Sequence, residues 1–249
     1  MQTVIALTKP LAQQASWQAA LEAKGYQVVN APLIQTEHLP ETAEQRAVWL
    51  DLDLFAGVVV VSPTAAAQLL NALDQYWPQP PLGVHWVCNG SGTAQALLAG
   101  GLTPVLYPTL GNRAEDVLAL AELQEVQGQR WLIVAGEGGR DVTQPGLQAR
   151  GAQVTRLSVY RRAPLTLAPA VLASLQQPQV IVQISSQVAL DSLTSQASLV
   201  TKQHTALLLS SPRLVTLAEQ AGWERRVIAP GASLEATLQA LNSLQETTS

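Results

Sequence analysis

Between Leu132 and Arg140 the chain reads LIVAGEGGR, an aliphatic run that stops in a glycine-rich turn ending on an arginine. Gly136, Gly138 and Gly139 can adopt backbone conformations that turn successive N–H groups to one side, and Arg140 adds a fork of charged donors. That combination can hold a carboxylate or a phosphate. Similar turns follow other segments: Ser62-Pro63-Thr64, Gly90-Ser91-Gly92-Thr93, Ser185-Ser186-Gln187 and Ser210-Ser211. Taken singly, each such residue reads as a helix cap. Together they point to a polar, anionic ligand gripped by helix N-termini. Other reactive residue types form no constellation. His38, His85 and His204 lie far apart without metal-ligand spacing, so no metal site is expected, and no Ser-His-Asp arrangement or carboxylate pair stands out. Glu115 and Asp116 read as dipole-favoured residues at a helix start. The six tryptophans follow no stacking period and read as packing residues.

Strands and helices must present these turns. Residues 3–8 form an aliphatic strand, 11–24 a helix stopped by Gly25, and 26–30 a returning strand, which together make a βαβ unit. Residues 32–40, PLIQTEHLP, alternate apolar and polar side chains between two prolines and read as an extended linker. A helix over 41–54, a strand over 55–61 and a helix over 65–73 follow. After a proline-rich loop come a strand at 85–88, a helix at 94–99, a strand at 104–107 and a helix at 112–123.

From Gln129 the pattern begins again. RWLIVAGEGGR followed by LQARGAQVTRLSVY answers VIALTKP followed by LEAKGYQVVNAPL, so that Gly151 stands about 126 residues after Gly25. VIVQISSQVALDSL answers VVVVSPTAAAQLL, setting Ser185 opposite Ser62, and Pro230 answers Pro108. A self-similarity of one long period and two copies means two α/β units rather than a solenoid. In open parallel sheets ligands sit outside the carboxyl ends of the strands, where all these turns lie.

Composition agrees with a globular chain of two units: 249 residues, 47% hydrophobic and 13% charged. A net charge of −4 with thinly spread Lys and Arg argues against a nucleic-acid surface. The N-terminal apolar run is too short for a signal peptide or membrane span. The lone Cys88 excludes an internal disulfide and a cysteine-only zinc site, and it reads as a buried hydrophobe in a reducing, cytoplasmic compartment.

With the repeat in view, five pieces in order, VVVVSPTAAA, GSGTAQAL, LIVAGEGGR, GLQARGAQV and SVYRR, make the chain resemble the uroporphyrinogen-III synthase family from about Val4 to Leu244. The resemblance implies two similar parallel-sheet α/β domains, HemD-like with flavodoxin-like topology, joined by a two-stranded linker. Residues 1–33 plus 168–249 would form the first domain and 38–158 the second, with 33–39 and 157–167 as the linker. It implies a cofactor-free cyclisation of hydroxymethylbilane to uroporphyrinogen III, with inversion of the last pyrrole ring through a spiro intermediate. The partner is this small molecule; a cytoplasmic monomer is implied, in transient contact with the preceding pathway enzyme.

Residue by residue, Tyr160 of SVYRR matches the family tyrosine that assists loss of the hydroxyl. A phenol keeps its proton at neutral pH and can donate it. Ser62, Thr64, Gly90 and Thr93 match positions facing the cleft, Gly138, Gly139 and Arg140 the glycine turn, and Ser185, Ser186, Gln187 and Ser210 the turns of the other domain. Lys9 stands where many members have arginine, Ala135 where an arginine commonly precedes the turn, and Ser210-Ser211-Pro212-Arg213 replaces a G-x-x-T turn. Two other readings compete: a two-domain binding protein for a small anion, without chemistry, and a nucleotide site at GEGGR, which lacks the G-x-G-x-x-G spacing.

Overall fold

The computed structural model describes residues 2–109, 111, 113–138 and 142–248. Strand β1 (Val4–Leu7) is four buried residues in a row, as suits a strand covered on both faces. A 3-10 turn at Leu11–Gln13 precedes α1 (Ala15–Glu22), and Gly25, at φ 85°, reverses the chain into β2 (Gln27–Asn30). The helix expected over 11–24 therefore comes in two pieces. Between them Gln14 spends its side-chain amide on the carbonyls of Leu7 and Lys9, at 3.1 and 2.5 Å.

Strand β3 (Ile34–His38) leads to α2 (Ala43–Leu50), started by a capping box between Thr42 and Gln45. The helix expected over 41–54 ends at Asp51, and a 3-10 turn at Leu52–Leu54 follows. Then come β4 (Gly57–Val60), α3 (Pro63–Tyr76), β5 (His85–Cys88), α4 (Ser91–Ala99), β6 (Val105–Leu106) and α5 (Ala114–Leu118). The helix expected over 112–123 is also divided, α5 being followed by a 3-10 turn at Ala121–Leu123, while Asn112 lies outside the described residues. Side chains take the carbonyls that a continuous helix would use. Gln124 donates to Leu118 and Leu120, and Arg150 donates to Leu118 and Leu123.

The second half runs β7 (Arg130–Gly136), α6 (Thr143–Ala149), β8 (Gln153–Pro164), α7 (Pro169–Ser174), β9 (Val180–Ile184), α8 (Gln187–Gln196), α9 (Leu199–His204), β10 (Ala206–Leu209), α10 (Pro212–Gln220), β11 (Arg226–Ile228) and α11 (Leu234–Thr248).

The chain divides into two compact units, Met1–Thr36 with Arg162–Ser249 and Glu37–Arg161, so it passes from one to the other within β3 and within β8. In the first unit the sheet order is β11-β10-β9-β1-β2, every pair parallel. Counted along that unit this is the flavodoxin-like order 2-1-3-4-5. In the second unit β8-β7-β4-β5-β6 are parallel and β3 lies beside β8. The second sheet has the same spatial arrangement entered at another strand, 3-2-1-4-5, because β4 answers β9 and β7 answers β1 in the duplication. Each sheet is covered by apolar layers on both faces. Strand order reverses at β1/β9 in one unit and at β4/β7 in the other, the places where such sheets open a crevice at their carboxyl ends.

Candidate functional site

At the β4/β7 reversal the chain brings together three residues from distant stretches. Ser62 follows β4 in extended conformation, and its hydroxyl accepts from the Ala65 N–H at 3.2 Å, capping α3 ahead of Pro63 at the first helical position. The same hydroxyl lies 3.0 Å from the Tyr160 hydroxyl. Either hydroxyl can donate in this pair, because the Ser62 oxygen keeps a second lone pair beside the one that accepts from Ala65; when the Ser62 O–H donates to the phenol oxygen, the phenol proton is available to a third group. Tyr160 comes from β8 and is only 6% exposed. Gly136 ends β7 beneath its ring, and the Glu137 N–H donates to the Tyr160 carbonyl at 2.7 Å. Gly138 is exposed, with φ 68° in the left-handed region, as the glycine turn requires. Gly139 and Arg140 lie outside the described residues.

Next along this edge, a cavity of about 390 Å³ is lined by Pro63, Asn89, Gly90, Thr93, Tyr107 and their neighbours. Gly90 precedes α4, whose first turn holds Thr93. Thr93 is buried, 5% exposed, in the first turn of α4, which starts at Ser91 rather than at the expected Ala94. Asn89 Oδ1 is buried there without a hydrogen-bond partner among the described residues, and nothing in the sequence marked it. Thr64 is half-buried in the first turn of α3. Burial pushes the Cys88 thiol pKa up, which suits a packing residue.

The first unit repeats the arrangement without the tyrosine. Ser186 caps α8 through the Ala189 N–H at 3.2 Å, and Ser211 caps α10 through the Leu214 N–H at 3.3 Å. Ser185 and Ser210 are half-buried beside them. Gln187 is exposed, and its side-chain carbonyl accepts from Arg213 at 2.8 Å, so the arginine of the altered turn is tied to a neighbouring turn. Gln183, 2% exposed, leaves its Oε1 without a partner among the described residues; the one polar residue inside VIVQI was a signal for it. Lys9 follows β1 with its ammonium 4.2 Å over the Trp17 ring. Burial, and then the charge of Arg162, hold its pKa below the ordinary lysine value.

Among the described residues no group of His, Cys, Asp and Glu could hold a metal, and no helix is long and apolar enough to cross a membrane. Both edges therefore offer amides, hydroxyls and a few cations, with one phenol poised by a serine.

Residues 15–239 match the family model described as uroporphyrinogen-III synthase HemD. The chain is 31% identical over 246 residues to the uroporphyrinogen-III synthase of Escherichia coli, spanning 95% of this chain and 99% of that one. It is 29% identical over 246 residues to that of Salmonella typhimurium, with the same coverage. Among solved structures, uroporphyrinogen-III synthetase from Helicobacter pylori has a TM-score of 0.64 over 98% of this chain and 100% of its own, at 14% identity. A mutant uroporphyrinogen III synthase from Thermus thermophilus has a TM-score of 0.59 over 98% and 99%, at 18% identity.

Proposed function

This chain belongs to the uroporphyrinogen-III synthase family, and on that premise we propose that it closes hydroxymethylbilane to uroporphyrinogen III with Tyr160 as the acid that assists the first step. The C–O bond of the terminal hydroxymethyl group breaks, its oxygen takes the phenol proton and leaves as water, and the pyrrole nitrogen lone pair supplies the electrons, giving a protonated azafulvene (an azafulvenium cation) beside the phenolate. Attack by the substituted carbon of the last ring forms the spiro intermediate. Fragmentation and reclosure invert that ring, and the proton lost on rearomatisation restores the phenol. The observation that carries this reading is the 3.0 Å contact between Ser62 and Tyr160 at the strand-order reversal. A serine donating to the phenol oxygen holds the ring's proton outward before reaction and stabilises the phenolate after it.

The rest of the task is conformational: a flexible bilane must be held with its ends together, which lowers the entropic part of the barrier. Eight substrate carboxylates need donors, and helix N-termini supply them without a high positive charge. We assign this role to Ser62, Thr64, Gly90, Thr93, Gly138, Gly139 and Arg140 on one unit, and to Lys9, Ser185, Ser186, Gln187 and Ser210 on the other, with β3 and the end of β8 as the linker. The proposed setting is a cytoplasmic monomer, checked by sedimentation. The purified protein given fresh hydroxymethylbilane is expected to yield mainly the inverted isomer by chromatography. Only the uninverted isomer would remove the catalytic assignment.

Lys9 adds a pH dependence. Its folded pKa lies below its unfolded one, so between the two values the unfolded chain binds more protons and Lys9's contribution to stability rises with pH. A bound carboxylate favours the ammonium, so substrate binding takes up a proton and weakens as pH rises through the lowered value. KM is expected to climb in the alkaline range in the natural protein and to stay flatter in Lys9→Arg, whose guanidinium keeps its charge. Equal KM profiles for the two would detach Lys9 from the substrate.

A further inference from the structure

The placement of Tyr160 depends on a backbone irregularity. β8 keeps regular parallel register with β7 from Gln153 opposite Arg130 to Ser158 opposite Ala135, and then slips so that Gly136 faces Tyr160. Val159 is the extra residue. Neighbours along a regular strand point to opposite faces, yet Leu157, Val159 and Tyr160 all join one buried cluster, the one that includes Ala65 and Ala66 of α3. The bulge thus turns the phenol toward the start of α3, within 3.0 Å of Ser62; in unbroken register Tyr160 would point to the other face.

The same slip lays the tyrosine ring over Gly136. A β-carbon at 136 would stand 2.5 Å from Tyr160 Cε2 and 2.6 Å from Cζ, inside any tolerable contact. Gly136 does not have a positive φ, so what the position requires is space rather than conformational freedom. The Tyr160 carbonyl is tied down by the Glu137 N–H, so the ring rather than the strand must yield to an added methyl.

We infer that Gly136, with the bulge at Val159, is a positioning residue for the Tyr160 phenol, acting on the reaction only through that ring. The role rests on the reading of Tyr160 as the acid of bilane closure. The test compares kcat and KM for the wild type, Gly136→Ala, Tyr160→Phe and the double variant, with isomers resolved. Gly136→Ala is expected to lower kcat by about tenfold to a hundredfold with little change in KM, as a misplaced catalytic group does. In the Tyr160→Phe background the same substitution is expected to cost nothing further in kcat. An equal kcat loss in both backgrounds, or no loss in the first, overturns the role. If Gly136→Ala does not fold, the Gly136→Ala/Tyr160→Ala protein is expected to fold as Tyr160→Ala does; failure there too overturns it. A wild type that forms only the uninverted isomer overturns the catalytic reading and this role together, whereas wild-type inversion with an undiminished Gly136→Ala rate overturns this role alone.

Discussion

Tyr160→Phe is expected to lower kcat by about tenfold or more while KM and stability stay close to those of the natural protein. The ring remains, so the packing of the buried cluster around Ala65, Val159 and Leu157 is kept. What goes is one hydroxyl whose partner, Ser62, still has the Ala65 N–H to cap, so the cost to folding is about 1 kcal/mol or less. On the proposed reading the reaction loses its proton donor to the departing hydroxyl, and water must take that place. KM is expected to hold because the proposed carboxylate binding is spread over many amides and hydroxyls that the substitution leaves untouched. Turnover measured with isomer resolution and a denaturant titration on the same preparation separate the two effects. Unchanged kcat would return Tyr160 to a packing role, and a fall in stability of several kcal/mol would mean that the hydroxyl matters to the fold instead.

Residue types and spacing foretell some of these features and not others. Ser62 was legible as a cap because a hydroxyl before Pro63, after four valines, has few other uses, and the structure gives it the Ala65 amide. The duplication was legible too: Gly25 and Gly151 stand in equivalent places, and both have φ near 85°, at 85° and 83°. Helix ends were less so. The break after α5 depends on where the side chains of Gln124 and Arg150 find carbonyls, and near the end of α2 the Trp77 indole N–H donates to the Trp49 carbonyl, which is tertiary information. The bulge at Val159 was not read from the sequence: QVTRLSVYRRAP mixes polar and apolar residues throughout, so the adjacent Val159 and Tyr160 do not stand out as a break in a clean alternation. Tyr160 was singled out by resemblance, but its contact with Ser62, 98 residues away, follows only once β4, β7 and β8 lie side by side.

Trp131 is buried within the β4–β7 part of that arrangement, and Trp131→Ala is expected to destabilise the chain by about 3–5 kcal/mol. Trp131 is fully buried on β7, its indole N–H donating to Gln129 at 3.0 Å and its ring stacked on His85 with centroids 6.4 Å apart. It faces Gly57 across the β4–β7 pairing, and a β-carbon on Gly57 would run into the indole edge. The glycine thus makes the room that the indole fills. Gly57→Ala alone is expected to cost about 1–3 kcal/mol by overpacking. In the Trp131→Ala background it should cost far less, because the cavity accepts the methyl, and thermal unfolding of the four proteins measures that coupling. Additive losses would show that Gly57 is fixed by the His85 carbonyl, 2.9 Å from the same β-carbon, rather than by the indole. The pairing matters beyond stability: β4 leads into Ser62 and β7 ends at Gly136, so a β4–β7 register loosened at Trp131 should also lower kcat through the same phenol that Gly136 positions.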